Sequence, residues 1–155
     1  MQIRLLADHP ECIGDLAPEI SEHWSSILPQ ESIASRTAKL LSHCNRDRLP
    51  IAWVAIDGGE VLGTAALRIH DLDGREDLSP WLAGVFVKRK FRNQGVAAAL
   101  CEAAEKWARQ FGVQKLYLFT IDHELMYARL GWKVFGKAKW MGIESTIMVK
   151  HAIPA

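Results

Sequence analysis

The sequence predicts an α/β fold of the α+β type. One domain over residues 1–155 would hold a mixed central sheet of about seven strands, flanked by helices on both faces. Three observations support this prediction. A strand, a basic turn and an amphipathic helix follow one another over residues 81–112, a glycine-rich turn joins two strands at residues 57–60, and short apolar runs alternate with helical patterns elsewhere. The expected element order is β-α-α-β-β-β-α-β-α-β-β.

The chain begins with a short strand pattern and a longer helical pattern. Residues 3–6 have the length and composition of a strand, and Asp8 followed by Glu11 resembles a helix-start box. Apolar residues then keep helical spacing as far as Ile27. Pro18 lies inside this pattern and lacks a backbone N–H, so we expect it to break or kink the helix.

A second helix and a β-hairpin are expected next. The helix pattern covers residues 31–45. Residues 51–56 and 61–69 are expected to pair as antiparallel strands, because the turn Asp57-Gly58-Gly59-Glu60 between them contains glycines that accept the positive φ of a hairpin. The expected buried face of the helix consists of Ile33, Thr37, Leu40, Leu41 and Cys44.

The segment from Trp81 to Gly112 is the centre of the prediction. Residues 81–87 form an apolar run typical of a strand, and residues 88–92 form a basic turn. An amphipathic helix begins after Gly95, and Gly112 stands where a left-handed cap would end it. Its expected apolar face consists of Val96, Leu100, Ala103, Ala104, Trp107 and Phe111, with Glu102, Glu105, Lys106, Arg109 and Gln110 opposite.

The last part of the chain is expected to complete the sheet. Asp122 can cap a short helix that ends at Gly131. The expected strands are residues 115–119, 132–135 and 143–149.

The start of the central helix has the chemistry of an anion-binding site. Its first backbone N–H groups lack internal partners, and the helix dipole puts partial positive charge there. Gly95 has no Cβ, so a ligand can approach the backbone closely, and Arg92 adds a fixed positive charge. A phosphate or pyrophosphate would suit this position. An ordinary tight turn also places a glycine between strand and helix, so this pattern alone leaves both interpretations open.

The segment V-K-R-K-F-R-N-Q-G-V-A resembles the pyrophosphate-binding segment of the GNAT superfamily of N-acetyltransferases. There, an arginine or glutamine, two residues, a glycine, one residue and a glycine or alanine follow a strand that ends in valine. Arg92, Gly95 and Ala97 match these positions. Arg89 stands where the family often has proline, and Asn93 where it often has glycine.

A second segment, T-I-D-H-E-L-M-Y-A-R-L-G-W, resembles the late helix of the same family. Tyr127, Leu130, Gly131 and Trp132 match its pattern of tyrosine, hydrophobic residue, glycine and aromatic residue. Thr120 stands where many members have an asparagine that bonds the pantetheine arm. Without the first segment, Tyr127 would be interpreted as a half-buried packing residue.

The resemblance covers most of the chain at the level of element order and implies a single GNAT-like domain. It implies acetyl-CoA as cosubstrate, no metal, and transfer of the acetyl group to a primary amine of a small molecule or peptide by direct attack. It also implies that Tyr127 protonates or stabilises the departing CoA thiolate. The implied cofactor-binding residues are Phe86, Val87, Arg92, Asn93, Gln94, Gly95, Val96, Ala97 and Thr120.

The general base remains open. Many family members use a glutamate on the central strand, but residues 81–87 contain no acid. The loop over residues 70–80 is acidic and is expected either to be a solvated turn or to attract a cationic amine. Candidate bases are Asp71, Asp73, Glu76, Asp77, Glu19 and Glu22, or a chain of waters. The candidate acceptor-binding residues are Trp24, Asp71 and Asp77.

Composition excludes several other classes of protein. The net charge of +1 implies no general attraction to nucleic acid or anionic membranes, and no apolar run approaches the roughly 20 residues of a membrane helix. The three cysteines lie far apart, and the six histidines lack ligand spacing, so neither a disulfide frame nor a metal site is expected. Without a signal-peptide core near the start, we expect a cytoplasmic protein with reduced thiols. The sequence is compatible with a homodimer.

Two alternatives to a transferase follow from the same residues. The basic run of Lys88, Arg89, Lys90 and Arg92 is compatible with a nucleic-acid contact, although no aromatic stripe or wider basic face accompanies it. The missing strand glutamate is compatible with a CoA-binding module that lacks catalysis.

Overall fold

One mixed sheet of seven strands organises residues 1–153, the part of the chain that the computed structural model describes. The strands are β1 (Gln2–Leu5), β2 (Ile51–Asp57), β3 (Glu60–Arg68), β4 (Trp81–Val87), β5 (Lys115–Thr120), β6 (Lys133–Trp140) and β7 (Ile143–His151). The helices are α1 (Ile13–Trp24), α2 (Ile33–Ser42), α3 (Val96–Gln110) and α4 (Glu124–Arg129). The predicted fold class and element order are therefore confirmed, with short 3-10 turns added at Leu6–Asp8, Pro10–Cys12 and Arg89–Phe91.

The sheet has the spatial order β1-β2-β3-β4-β5-β7-β6, and all neighbouring strands are antiparallel except β4 and β5. Those two parallel strands pair only at Trp81 and Tyr117, where the Tyr117 N–H also donates to the Pro80 carbonyl at 3.0 Å. Beyond Trp81 no further pairing joins them within residues 1–153. β4 and β5 consequently diverge after this pair and leave a gap in the middle of the sheet.

Helices cover both faces of the sheet, as predicted. α3 and α4 pack on one face, where Leu100, Ala104 and Tyr127 join the buried side chains of β2 to β5. α1 and α2 pack on the other, where Leu16 and Leu40 join alternate residues of β2, β3 and β4. Period-two alternation along the strands supplies both apolar faces.

The structure corrects two expectations about the first helix. α1 runs unbroken through Pro18, because the proline lies on the exposed side, where water can solvate the carbonyl that its missing N–H would have bonded. Asp8 and Glu11 do not form a helix-start box: α1 has no side-chain cap, Asp8 pairs with Arg46, and Glu11 contacts His9. Two 3-10 turns make the transition from β1 instead.

The second helix is shorter than predicted and turned differently. It starts at a capping box in which the Ser32 and Ser35 hydroxyls accept each other's backbone N–H groups, at 3.0 and 2.9 Å. Ile33 and Leu41 are each 54% exposed, whereas Arg36 is buried. Leu40 is buried as predicted, but Arg36, which lies outside the predicted face, is buried as well because Glu31 pairs with it in the interior.

The central helix shows a similar difference. Glu105, expected on the solvent face, is buried, and its carboxylate lies 2.6 Å from the Nζ of Lys150 on β7. Phe111, expected in the core, is exposed and stacks on Trp107 with ring centroids 4.2 Å apart. The buried stripe of α3 is therefore rotated relative to the expected face.

Two further local expectations are corrected. α4 is not capped by Asp122. The Thr120 hydroxyl accepts the His123 N–H at 3.0 Å instead. β6 extends to Trp140 rather than ending near Phe135, because it pairs along its length with β7.

Candidate active site

The splayed strands β4 and β5 open onto a cavity of about 510 Å3. Its walls come from the end of α1, from α2, from the loop after β3, from both splayed strands and from α4, so distant parts of the sequence meet there. Of the predicted site residues, four line it: Trp24, Asp71, Thr120 and Tyr127. It is large enough to hold an extended organic ligand.

A β-bulge on β4 exposes the strand backbone to this cavity. The register with β3 shifts between Thr64 and Ala66, opposite Gly84, which has φ +59° and is exposed although β4 is central. A Cβ on Gly84 would lie 3.0 Å from Nη2 of Arg68, so glycine lets the guanidinium lie over the strand. Bulges of this kind redirect a strand beside functional sites.

The backbone of Val87 continues this open edge. Lys88 donates its N–H to the Leu62 carbonyl at 2.8 Å, so antiparallel alternation turns the backbone groups of Val87 away from β3. The Val87 carbonyl accepts from Nε of Arg92 at 2.9 Å. The Phe86 side chain is buried against α1, and the Arg92 guanidinium lies 5.6 Å from its ring centroid. These contacts hold the loop that leads into α3.

That loop presents free amides at the start of α3. Asn93 and Gly95 both have positive φ, +62° and +81°, and Gly95 is the N-cap without a side-chain cap. The first intrahelical acceptor is the Gly95 carbonyl, which Ala99 bonds at 3.2 Å. The amides of Val96 and Ala97 therefore have no helical acceptor. A Cβ on Gly95 would meet no atom within 4 Å, so the approach to these amides is open.

Tyr127 is buried in the cavity wall. Its ring packs edge-on against Trp132 with centroids 6.3 Å apart, and its hydroxyl forms no hydrogen bond with any residue of the described chain. Burial and, to a lesser degree, Cys101 raise the pKa of Tyr127 well above its ordinary value. The phenol therefore keeps its proton at neutral pH and is a hydrogen-bond donor without an internal acceptor.

Asp71 and Asp77 of the loop over residues 70–80 form ion pairs with arginines close to them in sequence. Asp71 accepts from Nη1 of Arg68 at 2.8 Å, and both side chains are largely buried. Asp77 does not line the cavity, and Arg75 engages both of its oxygens at 3.0 and 3.1 Å. The loop thus brings one of its predicted acceptor-binding acids, Asp71, to the cavity, already paired with a cation.

The sequence reasoning missed a group of cations on the cavity wall. Arg36 and Lys39 from α2 and Arg68 from β3 line it together. Nε of Arg68 donates to His43 at 2.8 Å, and burial followed by the nearby Arg68 charge lowers the pKa of His43 to about 4. The available signal was the i, i+3 spacing of Arg36 and Lys39 within an otherwise apolar helix pattern.

Aromatic side chains form the mouth of the cavity. Trp24 packs edge-on against His23 and against Trp140, with centroids 4.7 and 5.4 Å apart. His23 also lines the cavity, and burial, together with Arg92, lowers its pKa. Its imidazole is accordingly neutral at pH 7, and it was not among the predicted candidates for the general base.

The cysteines lack the environment of a nucleophile. Cys101 is buried on α3, and burial raises the pKa of its thiol to about 12. Burial also raises the pKa of Cys12 and of Cys44. Within the described residues, no group of three or more acidic, histidine or cysteine side chains is arranged to hold a metal ion, and no helix is long and apolar enough to cross a membrane.

The structure thus places an open strand pair beside a helix start with free amides, a position of the kind at which proteins bind phosphate groups. The sequence profile of the acetyltransferase (GNAT) family matches residues 16–132, and the chain belongs to this family. The predicted family and the predicted acyltransferase class are thereby confirmed. No curated protein matches the chain significantly.

Solved structures with the same fold include aminoglycoside acetyltransferases. An aminoglycoside 6'-N-acetyltransferase complexed with coenzyme A is 18% identical, with a TM-score of 0.79 over 100% of this chain and 99% of that one. The aminoglycoside 6'-N-acetyltransferase from Enterococcus faecium is 20% identical, with a TM-score of 0.75 over 100% and 99%. A GNAT acetyltransferase from Elizabethkingia anophelis with acetyl-CoA bound is 17% identical, with a TM-score of 0.52 over 66% and 76%. At these identities the similarity is one of fold.

Proposed function

We propose that this acetyltransferase binds acetyl-CoA in the gap between β4 and β5 and transfers its acetyl group to a primary amine by direct attack. The observation that carries this proposal is the opening of the sheet beyond Trp81, with Tyr127 in the wall of the resulting cavity. Acetyl-CoA supplies an activated thioester. A neutral primary amine can attack this thioester directly, and the pKa of the buried Cys101, raised to about 12, disfavours a covalent intermediate at that thiol.

The residues of the loop before α3 would bind the pyrophosphate. The free amides of Val96 and Ala97, the flanking Asn93 and Gln94, and the charge of Arg92 suit an anion, and Gly95 leaves the backbone accessible. The outward-turned N–H of Val87 and the end of β5 at Thr120 would accompany the pantetheine arm, while the Val87 carbonyl stays bonded to Nε of Arg92. These assignments follow the chemistry of the groups present along one edge of the gap.

The role of Tyr127 would be to donate a hydrogen bond to the sulfur that leaves. Its raised pKa makes complete proton transfer costly, since an ordinary tyrosine, with a pKa of about 10, already holds its proton more tightly than a thiol with a pKa of about 8.5. Stabilisation of the developing thiolate is therefore the larger part of its contribution. The acceptor amine must lose a proton as the C–N bond forms, and the groups at the cavity that would take it include the neutral His23, Asp122, His123 and cavity water.

Two measurements test this function. Calorimetry with acetyl-CoA should show saturable binding to the folded protein. Thiol release with a panel of primary amines, aminoglycosides included because two of the similar structures are aminoglycoside 6'-N-acetyltransferases, should show turnover for at least one amine. Binding without turnover across the panel would favour a CoA-binding module that lacks catalysis. Absence of binding would refute the proposal.

A further inference from the structure

The part of the cavity wall formed by α2 and β3 holds more positive than negative charge, whereas Asp122, the other carboxylate of the lining besides Asp71, lies beside His123 before α4. We call Arg36, Lys39 and Arg68 the cationic patch. Arg36 donates to both carboxylate oxygens of Glu31, at 3.0 and 2.8 Å, and Arg68 donates to Asp71 at 2.8 Å. Lys39 forms no ion pair with any residue of the described chain. Within the patch, Glu31 and Asp71 therefore pair with two of the three cations, and the unpaired charge is that of Lys39.

This arrangement makes the protonated form of Lys39 less favourable than that of an ordinary lysine, although the side chain remains mostly charged at pH 7. Although its side chain is open to the cavity, burial of the ammonium among protein atoms, then the charge of Arg68 and that of Arg36, lower the pKa of Lys39 to about 8, against weaker opposing effects of Asp71 and Glu31. His43, which hydrogen-bonds Arg68 below the patch, stays neutral at pH 7 and adds no charge of its own. An anion placed between these cations would remove the repulsion.

The geometry also provides room for such an anion. A recess of about 30 Å3 continues inward from the cavity wall and shares the three side chains of the cationic patch with the large cavity. This space exceeds the roughly 10 to 15 Å3 that one water molecule requires. Nη1 of Arg36 and Nη2 of Arg68 have no hydrogen-bond partner in the described chain, so each guanidinium retains donors for a ligand. The floor of the recess is apolar, formed by Ile20, Ala52, Ala66 and Phe86.

We infer, on the basis of the transferase function proposed above, that the acceptor is a primary amine that also carries a carboxylate or phosphate group, and that the cationic patch binds this anionic group. Tyr127 and the cationic patch line the same cavity, so one small molecule can place its anion at the patch and its amine toward the thioester. Guanidinium and ammonium groups together are the usual protein partners of both anions. Acceptors with several ammonium groups and no anion are disfavoured, because the patch repels them.

Matched acceptor pairs test the inference through activity. Amino acids are compared with their uncharged amides, and phosphoethanolamine with ethanolamine, by thiol release from acetyl-CoA. For the best acceptor, we expect the anionic member to have a kcat/KM at least about tenfold higher than its neutral partner, the size of a charge-assisted contact. The two kinds of pair separate carboxylate from phosphate recognition. Equal or better turnover of the neutral or polycationic amines would overturn the inference while leaving the transferase function intact.

A binding measurement tests the same patch without catalysis. N-acetyl amino acids, the products of the inferred reaction, are titrated calorimetrically in the presence of CoA against their uncharged amides. We expect Lys39→Met to weaken binding of the charged member about tenfold or more, Lys39→Arg to retain it, and acetyl-CoA affinity to be unchanged in both. Lys106→Met, on the exposed side of α3 and without an ion pair in the described chain, is the matched control.

The pH dependence supplies a signature that a packing role would not produce. Because the pKa of Lys39 in the free protein is lowered to about 8, binding of the anion should weaken as the pH rises through that value in the wild type. The arginine variant should not show this weakening, since arginine stays protonated. If Lys39→Met binds the charged product as well as the wild type does, the cationic patch is not the anion site, whether or not any amine is acetylated.

Discussion

Nε of Arg68 donates a hydrogen bond to Nε2 of His43 at 2.8 Å, so this ring nitrogen acts as an acceptor. Nδ1 of His43 lies 2.7 Å from the carbonyl oxygen of Lys39 and therefore carries the ring proton. The contact joins the end of α2 to the end of β3 beneath the candidate acceptor site. It requires the neutral imidazole, because a proton on Nε2 would face the guanidinium directly.

The first prediction concerns acid stability. The pKa of His43 falls from 6.5 to about 4 on folding, so between these values the unfolded chain binds a proton that the folded protein excludes. The contribution of His43 to the free energy of unfolding is therefore fully present above about pH 6.5. It declines as the pH falls toward about 4. Unfolding followed from neutral to acidic pH should show this decline, and His43→Gln, which stays uncharged, should flatten it. An unchanged pH slope in the variant would show that His43 is not its source.

The second prediction concerns Tyr127. Tyr127→Phe keeps the ring against Trp132 and removes the only group that donates into the cavity from α4, so we expect kcat to fall by about tenfold to a hundredfold with acetyl-CoA affinity unchanged. Tyr117→Phe is the matched control, since the other tyrosine of the chain packs against Trp81 and Phe135 outside the cavity lining. Full turnover in Tyr127→Phe would remove the phenol from the mechanism.

The third prediction concerns the two ends of α3. Gly95 and Gly112 both have left-handed φ, +81° and +76°, and a Cβ on either would meet nothing within 4 Å. A valine at either position should cost roughly 1 to 2 kcal/mol of folding stability, because a side chain disfavours this conformation. Only Gly95→Val should also weaken acetyl-CoA binding, by about tenfold or more, because only that glycine borders the free amides. Equal binding by both variants would contradict the loop assignment.

The fourth prediction concerns the buried ion pair between Glu105 and Lys150. Their side chains are 9% and 25% exposed, and Lys150 also donates to the Leu130 carbonyl at 2.6 Å. Lys150→Met should lower the free energy of unfolding by about 3 kcal/mol, since it leaves a carboxylate buried without a partner. Replacing both residues with apolar ones should restore part of that loss.

A surface pair provides the comparison for this effect. Lys139 and Glu144 lie 3.6 Å apart with side chains 69% and 78% exposed, so Lys139→Met should cost less than about 1 kcal/mol. Chemical denaturation of the wild type and these three variants gives the values. Equal losses from Lys139→Met and Lys150→Met would mean that burial of Glu105 does not control the cost.

The sequence was a good guide where one local rule acts alone. The hairpin turn is predictable because Gly58 and Gly59 take positive φ, as they do at +55° and +83°. The start of α3 is predictable from Gly95 for the same reason. The buried faces of α2 and α3 were not, because Arg36 and Glu105 are buried only by virtue of partners that the pattern of apolar residues does not reveal.

The candidate site likewise has one part that the sequence predicts and one part that it does not. The loop before α3 and Tyr127 could be found from contiguous motifs, since each lies within one short segment. The cationic patch could not, because Arg36, Lys39 and Arg68 come from two elements that meet only when α2 packs on the sheet. Their effect also depends on Glu31 and Asp71, which neutralise two of the three charges.

By itself, the sequence determined the order of strands and helices and the backbone chemistry at the start of α3, since periodicity and glycine conformation act between neighbours in the chain. Only the tertiary structure decided where the sheet opens and which charges meet at the opening. Strand pairing between β4 and β5 ends at Trp81, the bulge at Gly84 follows on β4, and the charge of the cavity is a sum over side chains that are far apart in sequence.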